Sequence, residues 1–211
     1  MKNKEELLNS VELVVLNKKS FESLLDELEY YEYLDMIVIC KMRVLRADNQ
    51  DGISVGKETV KRLGISKEEL FKRAYQNTIE RYPAVILSMK DVIASIFSSE
   101  EAAQLGIEGD IKDLDIDEQL IITNNTYFGS TVILNKSFMA YIGEKLGHDY
   151  YVVPMSIKEC YVLCEELDEE GLNYYKECLC AVSKNDISPE ERLGEHLYKF
   201  DIKKKELQIV D

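Results

Sequence analysis

Short apolar runs and helical stripes follow one another in this chain in no regular order, and the lack of a repeating strand–helix unit most narrows its fold. Val11 to Leu16 is an apolar run with one acid, Glu12, inside it. After an Asn-Lys-Lys-Ser turn, Phe21, Leu24, Leu25 and Leu28 recur at helical spacing. Tyr33 to Leu45 carries a β-branched cluster, Ile37, Val38 and Ile39, that predicts a strand over its core. The run Asp-Asn-Gln-Asp-Gly at 48–52 marks a turn. Ser66-Lys-Glu-Glu69 is a capping box, so a helix starts there, with its stripe at Leu70, Ala74, Ile79 and Tyr82 until Pro83 stops it.

Residues 84–97 read as a short strand and a helix. Leu120 to Thr123 and Thr131 to Leu134 are expected to pair as strands around Asn124-Asn125, and Phe138 to Leu146 forms a helix closed by Gly147. Tyr150 to Val153 and Tyr161 to Leu163 are strands, and Leu172 to Val182 is a helix. Ser188-Pro-Glu-Glu191 starts a brief helical turn, and Leu197 to Phe200 with Leu207 to Val210 make a hairpin tipped by Lys203 to Lys205. This order predicts an α+β fold, a mixed or antiparallel sheet with helices packed on it. An acidic stretch at 101–118 divides the chain into two expected lobes, 1–105 and 118–211, the second a sheet with helices on one face.

Charge restricts the partners. The 211 residues hold 26 Lys and Arg against 40 Asp and Glu, a net −14 that repels nucleic acid and anionic membranes. No stretch approaches the roughly 18 apolar residues of a membrane span, and no leader opens the chain. A cytoplasmic setting follows, in which the five cysteines, an odd number, stay reduced. The expected partner is a protein or a small molecule.

No motif fixes a reaction. Gly52-Ile-Ser-Val-Gly56-Lys57-Glu58 falls one residue short of a phosphate loop and puts a carboxylate where a hydroxyl is needed. Asp113, Asp115 and Asp117 start like a calcium loop, but Glu118 and Asn124 stand where Gly and Glu are required. Cys160, Cys164, Cys178 and Cys180 lie inside apolar elements rather than zinc knuckles. Of the two histidines, His148 follows a helix end and His196 opens a strand beside Glu195, with Asp201 five positions on. No metal site, cofactor or catalytic group is assigned.

A set of spaced segments carries a resemblance. The Leu34-Asp35 pair, Leu-Gly-Ile-Ser-Lys-Glu-Glu-Leu at 63–70, Thr123-Asn124 with Gly129, Leu146-Gly-His-Asp-Tyr-Tyr-Val-Val-Pro154, and Glu195-His-Leu-Tyr-Lys-Phe-Asp201 resemble a bacterial family of unknown function, common in Firmicutes. Its members usually carry a further N-terminal region that this chain lacks. The family's Pro-Ser-Ser-Ile-His-Glu run reads Pro154-Met-Ser-Ile-Lys-Glu159 here, so Met155 and Lys158 replace a Ser and a His. The resemblance carries over Asn124, Gly129, Pro154, Ser156, Glu159, His196, Tyr198 and Asp201.

Of these, Asn124, Ser156, Glu159, His196 and Asp201 are the candidate ligand-binding residues. They imply a non-catalytic binding or regulatory module, with a hydrolase or transferase using Ser156, Glu159, His196 and Asp201 as the alternative. A ligand site would gather all five on one concave surface. Folding roles would instead use each one locally, Ser156 with Glu159, Asn124 at a hairpin corner, and His196 on a carbonyl or Asp201. The local outcome is expected, because turn and cap chemistry accounts for three of the five.

Overall fold

The computed structural model describes residues 3–43, 52–89, 92 and 119–210. The acidic stretch expected to divide the lobes, most of the turn at 48–52 and the helix expected after residue 88 lie outside them. Among the described residues ten strands form two sheets, and every pairing is antiparallel.

In the first sheet β3 (Met36–Arg43) is central. It pairs along one side with β1 (Val11–Asn17) and along the other with β2 (Tyr30–Tyr33) and β4 (Gly52–Ser54) in succession. Met36 to Cys40 are buried without alternation, so both faces of β3 are covered. Helix α1 (Lys4–Ser10) leads into β1, and α2 (Lys57–Leu63) ends at Gly64, whose φ of 59° is left-handed. Helix α3 (Lys67–Arg81) packs on β1.

Ser66 caps α3 by accepting the Glu69 N–H at 3.1 Å, as its spacing predicts. The Glu69 side chain does not return to close the box; it pairs with Lys4 on α1 at 2.8 Å. The buried side of α3 also departs from the apolar stripe, since Asn77 and Thr78 sit on it beside Leu70, Phe71 and Ala74.

These two polar residues close the free edge of β1. Asn77 Nδ2 donates to the carbonyls of Leu8 and Val11 at 2.8 Å each, and Thr78 Oγ1 accepts the Leu13 N–H at 2.8 Å. Further along, Thr131 Oγ1 accepts from Val15, and Asn17 Nδ2 donates to the Leu193 carbonyl at 2.9 Å. A strand edge buried without partners would lose its backbone hydrogen bonds, and here side chains supply them.

The second sheet runs β10-β9-β7-β8-β6-β5, built from β5 (Val85–Ser88), β6 (Gln119–Thr123), β7 (Tyr150–Val153), β8 (Cys160–Leu163), β9 (Leu197–Asp201) and β10 (Glu206–Val210). Period-two alternation sorts its two faces. Tyr150, Val152, Cys160, Val162, Tyr198 and Phe200 join the apolar cluster that also holds the core of the first sheet. Tyr151, Val153, Leu163 and Leu197 face Leu179 of α5 (Glu169–Asn185) on the other side.

Helix α4 (Lys136–Leu146) lies on the first of these faces, with Met139 and Ile142 in the shared cluster and the Tyr150 hydroxyl donating to the Met139 carbonyl at 2.8 Å. Helices therefore cover both faces rather than the one expected. The expected strand at Thr131 to Leu134 is instead a 3-10 turn, Gly129–Leu134, buried between β6, β1 and α4. Its apolar run matches a strand in composition, but it meets the unpaired edge of β1 through a side chain, Thr131 Oγ1 accepting from Val15, and not through a backbone ladder. No helix among the described residues is long and apolar enough to cross a membrane.

Replacing Thr78 by Val keeps the side-chain shape but removes the oxygen that accepts from Leu13. Urea unfolding should show a loss of about 1–3 kcal/mol. An unchanged midpoint would mean that the β1 edge does not need this acceptor.

Candidate functional site

The loop after β6 is built from its own side chains. Thr123 Oγ1 accepts from the Asn125 N–H and donates to the Lys158 carbonyl at 2.9 Å. Asn124 Oδ1 accepts from the backbone and the hydroxyl of Thr126, whose oxygen in turn accepts from Phe128 N–H. Asn125 takes the left-handed conformation, φ 56°, which its short amide tolerates. Gly129 then passes so close to Lys158 and Thr123 that a Cβ would stand 2.0 Å from the Lys158 carbonyl oxygen. Only glycine permits that approach.

This loop forms one wall of a cleft of about 270 Å³ whose other wall is β1 and the end of α3. Glu12, Leu13, Val14, Thr78 and Tyr82 face Asn124, Asn125, Thr126, Tyr127 and Phe128 across it. A small inner recess continues it past Leu13, Thr78, Tyr82 and Asn124. The Tyr82 hydroxyl donates to Glu12 Oε2 at 2.9 Å.

Burial pushes the Glu12 carboxyl above its ordinary value, and the Tyr82 hydrogen bond and the charges of Arg81, Arg43 and Lys41 only partly offset that. The Tyr82 hydroxyl is raised too, by burial first and then by Glu12. Lys41, opposite Glu12 in the strand register, holds its ammonium 4.2 Å from the Phe128 ring centre. A concave site with aromatic walls, two carboxamides and a carboxyl shifted by burial is what a small-ligand site requires.

The five residues singled out by sequence do not converge. Asn124 lies on this cleft. Ser156 donates to Glu159 Oε1 at 2.8 Å and accepts the Lys158 N–H at 3.1 Å, closing its own turn. Asp201 caps the β9–β10 turn by accepting from Lys203 and Lys204 N–H at 2.9 Å each. Asp201 also borders an open hollow of about 570 Å³ with His148 and Asp149, but Asp149 is likewise engaged, by Ile202 N–H and Lys199. Lys158, in the position of the family's histidine, pairs with Glu191 at 2.7 Å.

His196 goes neither to Asp201 nor to a nearby carbonyl. Its Nδ1 is 3.0 Å from Oδ2 of Asp35, at the corner of the β2–β3 hairpin, 161 positions away. The same carboxylate accepts from Glu195 N–H at 2.8 Å and from the buried Tyr198 hydroxyl. Burial alone would raise the Asp35 carboxyl; the donors from Tyr198, Glu195 and His196 outweigh it and hold it below its ordinary value. Leu34, beside it, carries a φ of 59°, a strained conformation for a branched residue that places Asp35 at the corner. Gly194 leaves room for the Tyr198 hydroxyl, which a Cβ there would meet at 2.1 Å.

Sequence reasoning missed Glu12, Tyr82 and Asp35 as site residues. The available signals were an acid inside an apolar strand and an Asp following Leu34 between two strand-forming runs. Among the described residues no group of three or more His, Cys, Asp or Glu side chains could hold a metal ion, and none of the five cysteines is in a disulfide.

Fold and cleft together define an α+β protein of two antiparallel sheets around a shared core, with a polar pocket at the edge of the first. The chain belongs to a family of unknown function, DUF5688, which matches residues 1–202. No curated protein and no solved structure matches it.

Because the folded chain holds the Glu12 proton more tightly than the unfolded chain, stability falls as pH rises from the ordinary carboxyl value of 4.5 through the raised one. Glu12→Gln cannot ionise. In urea unfolding between about pH 4 and 7 the difference should shift steadily in favour of the variant. A difference independent of pH would contradict burial as the governing cause.

Proposed function

We propose that this chain is a non-catalytic cytoplasmic binding or regulatory module that holds a small molecule in the cleft between β1 and the 124–128 loop. The observation that carries the reading is the meeting, in one cleft of about 270 Å³, of the Glu12–Tyr82 pair with Asn124, Asn125 and the Phe128 ring. The wall is set before any ligand arrives, because Thr123, Asn124 and Thr126 fix the loop by their own hydrogen bonds. Preorganisation of this kind lowers the ordering cost of binding. The net charge of −14 argues against nucleic acid or an anionic membrane as partner.

A ligand identified from a metabolite panel should stabilise the native chain by about 2.7 kcal/mol at a hundred times its dissociation constant. Asn125→Gly keeps the left-handed backbone while removing a cleft amide, and should abolish most of that shift. A shift that survives the substitution would place binding elsewhere.

A second reading, a hydrolase or transferase, has one observation in its favour. Asp35 fixes the Nδ1 side of His196, which is half exposed, the arrangement that orients an imidazole for proton transfer. Glu159, its expected partner, is held instead by Ser156. Turnover in a hydrolase screen that disappears in His196→Ala would favour this reading; turnover that persists in the variant would remove it.

A further inference from the structure

Most polar side chains on the cleft already have partners. Thr78 Oγ1 accepts from Leu13 N–H and donates to the Ala74 carbonyl, and Thr126 Oγ1 donates to Asn124 and accepts from Phe128 N–H. The Tyr127 hydroxyl donates to Glu191 at 3.1 Å and the Tyr82 hydroxyl to Glu12 Oε2 at 2.9 Å. A ligand is read by the polar groups left over, because each of these gains from a partner that the protein does not supply.

Four such groups border the cleft when partners are sought among the described residues. The Leu13 N–H points off the free side of β1 to Thr78, and in an antiparallel strand the carbonyl of the same residue points the same way. The Leu13 oxygen therefore faces out from the strand edge beside the cleft, with no donor on it. Glu12 keeps Oε1 free, its other oxygen being held by Tyr82. Asn124 commits Oδ1 to the N–H and hydroxyl of Thr126, which leaves its Nδ2 hydrogens as donors. Asn125, exposed at its left-handed corner, has a whole carboxamide without a partner.

The free groups thus have a polarity across the cleft. The strand side offers acceptors, Leu13 O and Glu12 Oε1; the loop side offers the Asn124 donor, with Asn125 able to give or accept. A ring carrying an N–H beside a C=O is the complement, its N–H toward the strand and its carbonyl toward the loop. Tyr82, Tyr127 and Phe128 supply aromatic surface for a flat ring to pack on.

Resting on the reading of the cleft as a ligand site, we infer that its ligand is an uncharged planar cyclic amide of the uracil kind, with its N–H on Leu13 and Glu12 and its carbonyl on Asn124. Among the described residues no Lys or Arg lines the cleft, so an anion would meet only the Glu12 carboxyl. An ammonium ligand would find the Phe128 ring already engaged by Lys41, 4.2 Å from its centre. The cleft volume of about 270 Å³ lies just under the range for drug-sized ligands, which suits a small ring.

Calorimetric titration of the full chain with uracil, N,N′-dimethyluracil, benzoate and benzylamine tests this. Uracil should bind, and more tightly than benzoate or benzylamine. Dimethyluracil keeps the ring and both carbonyls but has no N–H, and should bind roughly tenfold or more weaker, because a site built around a donor rejects the analogue that lacks it. Asn124→Asp keeps Oδ1 for Thr126 and sets an acceptor where Nδ2 was, and should weaken uracil by roughly tenfold or more. An unchanged melting temperature of the unliganded variant confirms that the loop is intact; the dimethyluracil arm uses the native chain and carries the test if the variant does not fold.

Equal binding of uracil and dimethyluracil, no binding of uracil, or tighter binding of benzoate or benzylamine would overturn the amide inference. The cleft reading would still stand on any panel ligand whose shift depends on Asn125. Uracil binding indifferent to both Asn124→Asp and Asn125→Gly would overturn both.

Discussion

The structure depends on how the outer edge of β1 is closed. That edge is interior, and no strand pairs with it among the described residues; its backbone groups are met one at a time by Asn77, Thr78 and Thr131, with Asn17 reaching out to Leu193. Buried side chains that satisfy a backbone edge must arrive in register, because a misplaced one leaves two polar groups unpaired. Helix α3, the 3-10 turn and the Leu193 segment are thereby fixed to the same strand, and the two sheets share one core. An edge closed by side chains is also withheld from other chains, which removes a route to aggregation.

The cleft follows from the same arrangement. A further strand beside β1 would have occupied the space where Leu13 and Val14 now face the 124–128 loop. Since the edge is closed by short side chains instead, a gap persists between strand and loop, and Glu12 stands in it, part buried, with Tyr82 as its donor. The loop keeps its distance because Gly129 rests against Lys158 and Thr123. Stability and a binding-competent hollow thus have one origin.

The Asp35 junction is the complementary case, a polar contact that joins the sheets away from the cleft. One carboxylate collects three donors from the Glu195–Tyr198 segment, and it is carried there by a hairpin corner strained at Leu34. Strain of this kind, of order 1–3 kcal/mol, persists only where surrounding contacts over-determine it. A carboxylate meeting three donors at a partly buried site supplies such a contact.

Local chemistry was legible in the sequence wherever a residue acts within its own element. Ser66 caps α3 and Gly147 ends α4 in a left-handed turn. Ser156 with Glu159 could be read for the same reason, the partner lying three positions away, whereas Asp201 was expected beside His196 and instead caps its own turn. Only the tertiary structure decided that Thr131 to Leu134 would be a 3-10 turn, that Asn77 and Thr78 belong on a buried helix face, and that His196 answers to Asp35. In each of these the partner is 65 or more positions distant or is a backbone group on another element. Spacing along a chain encodes periodicity and caps, whereas the desolvation of Glu12 and the cations around it exist only once β1, β3 and α3 are packed together.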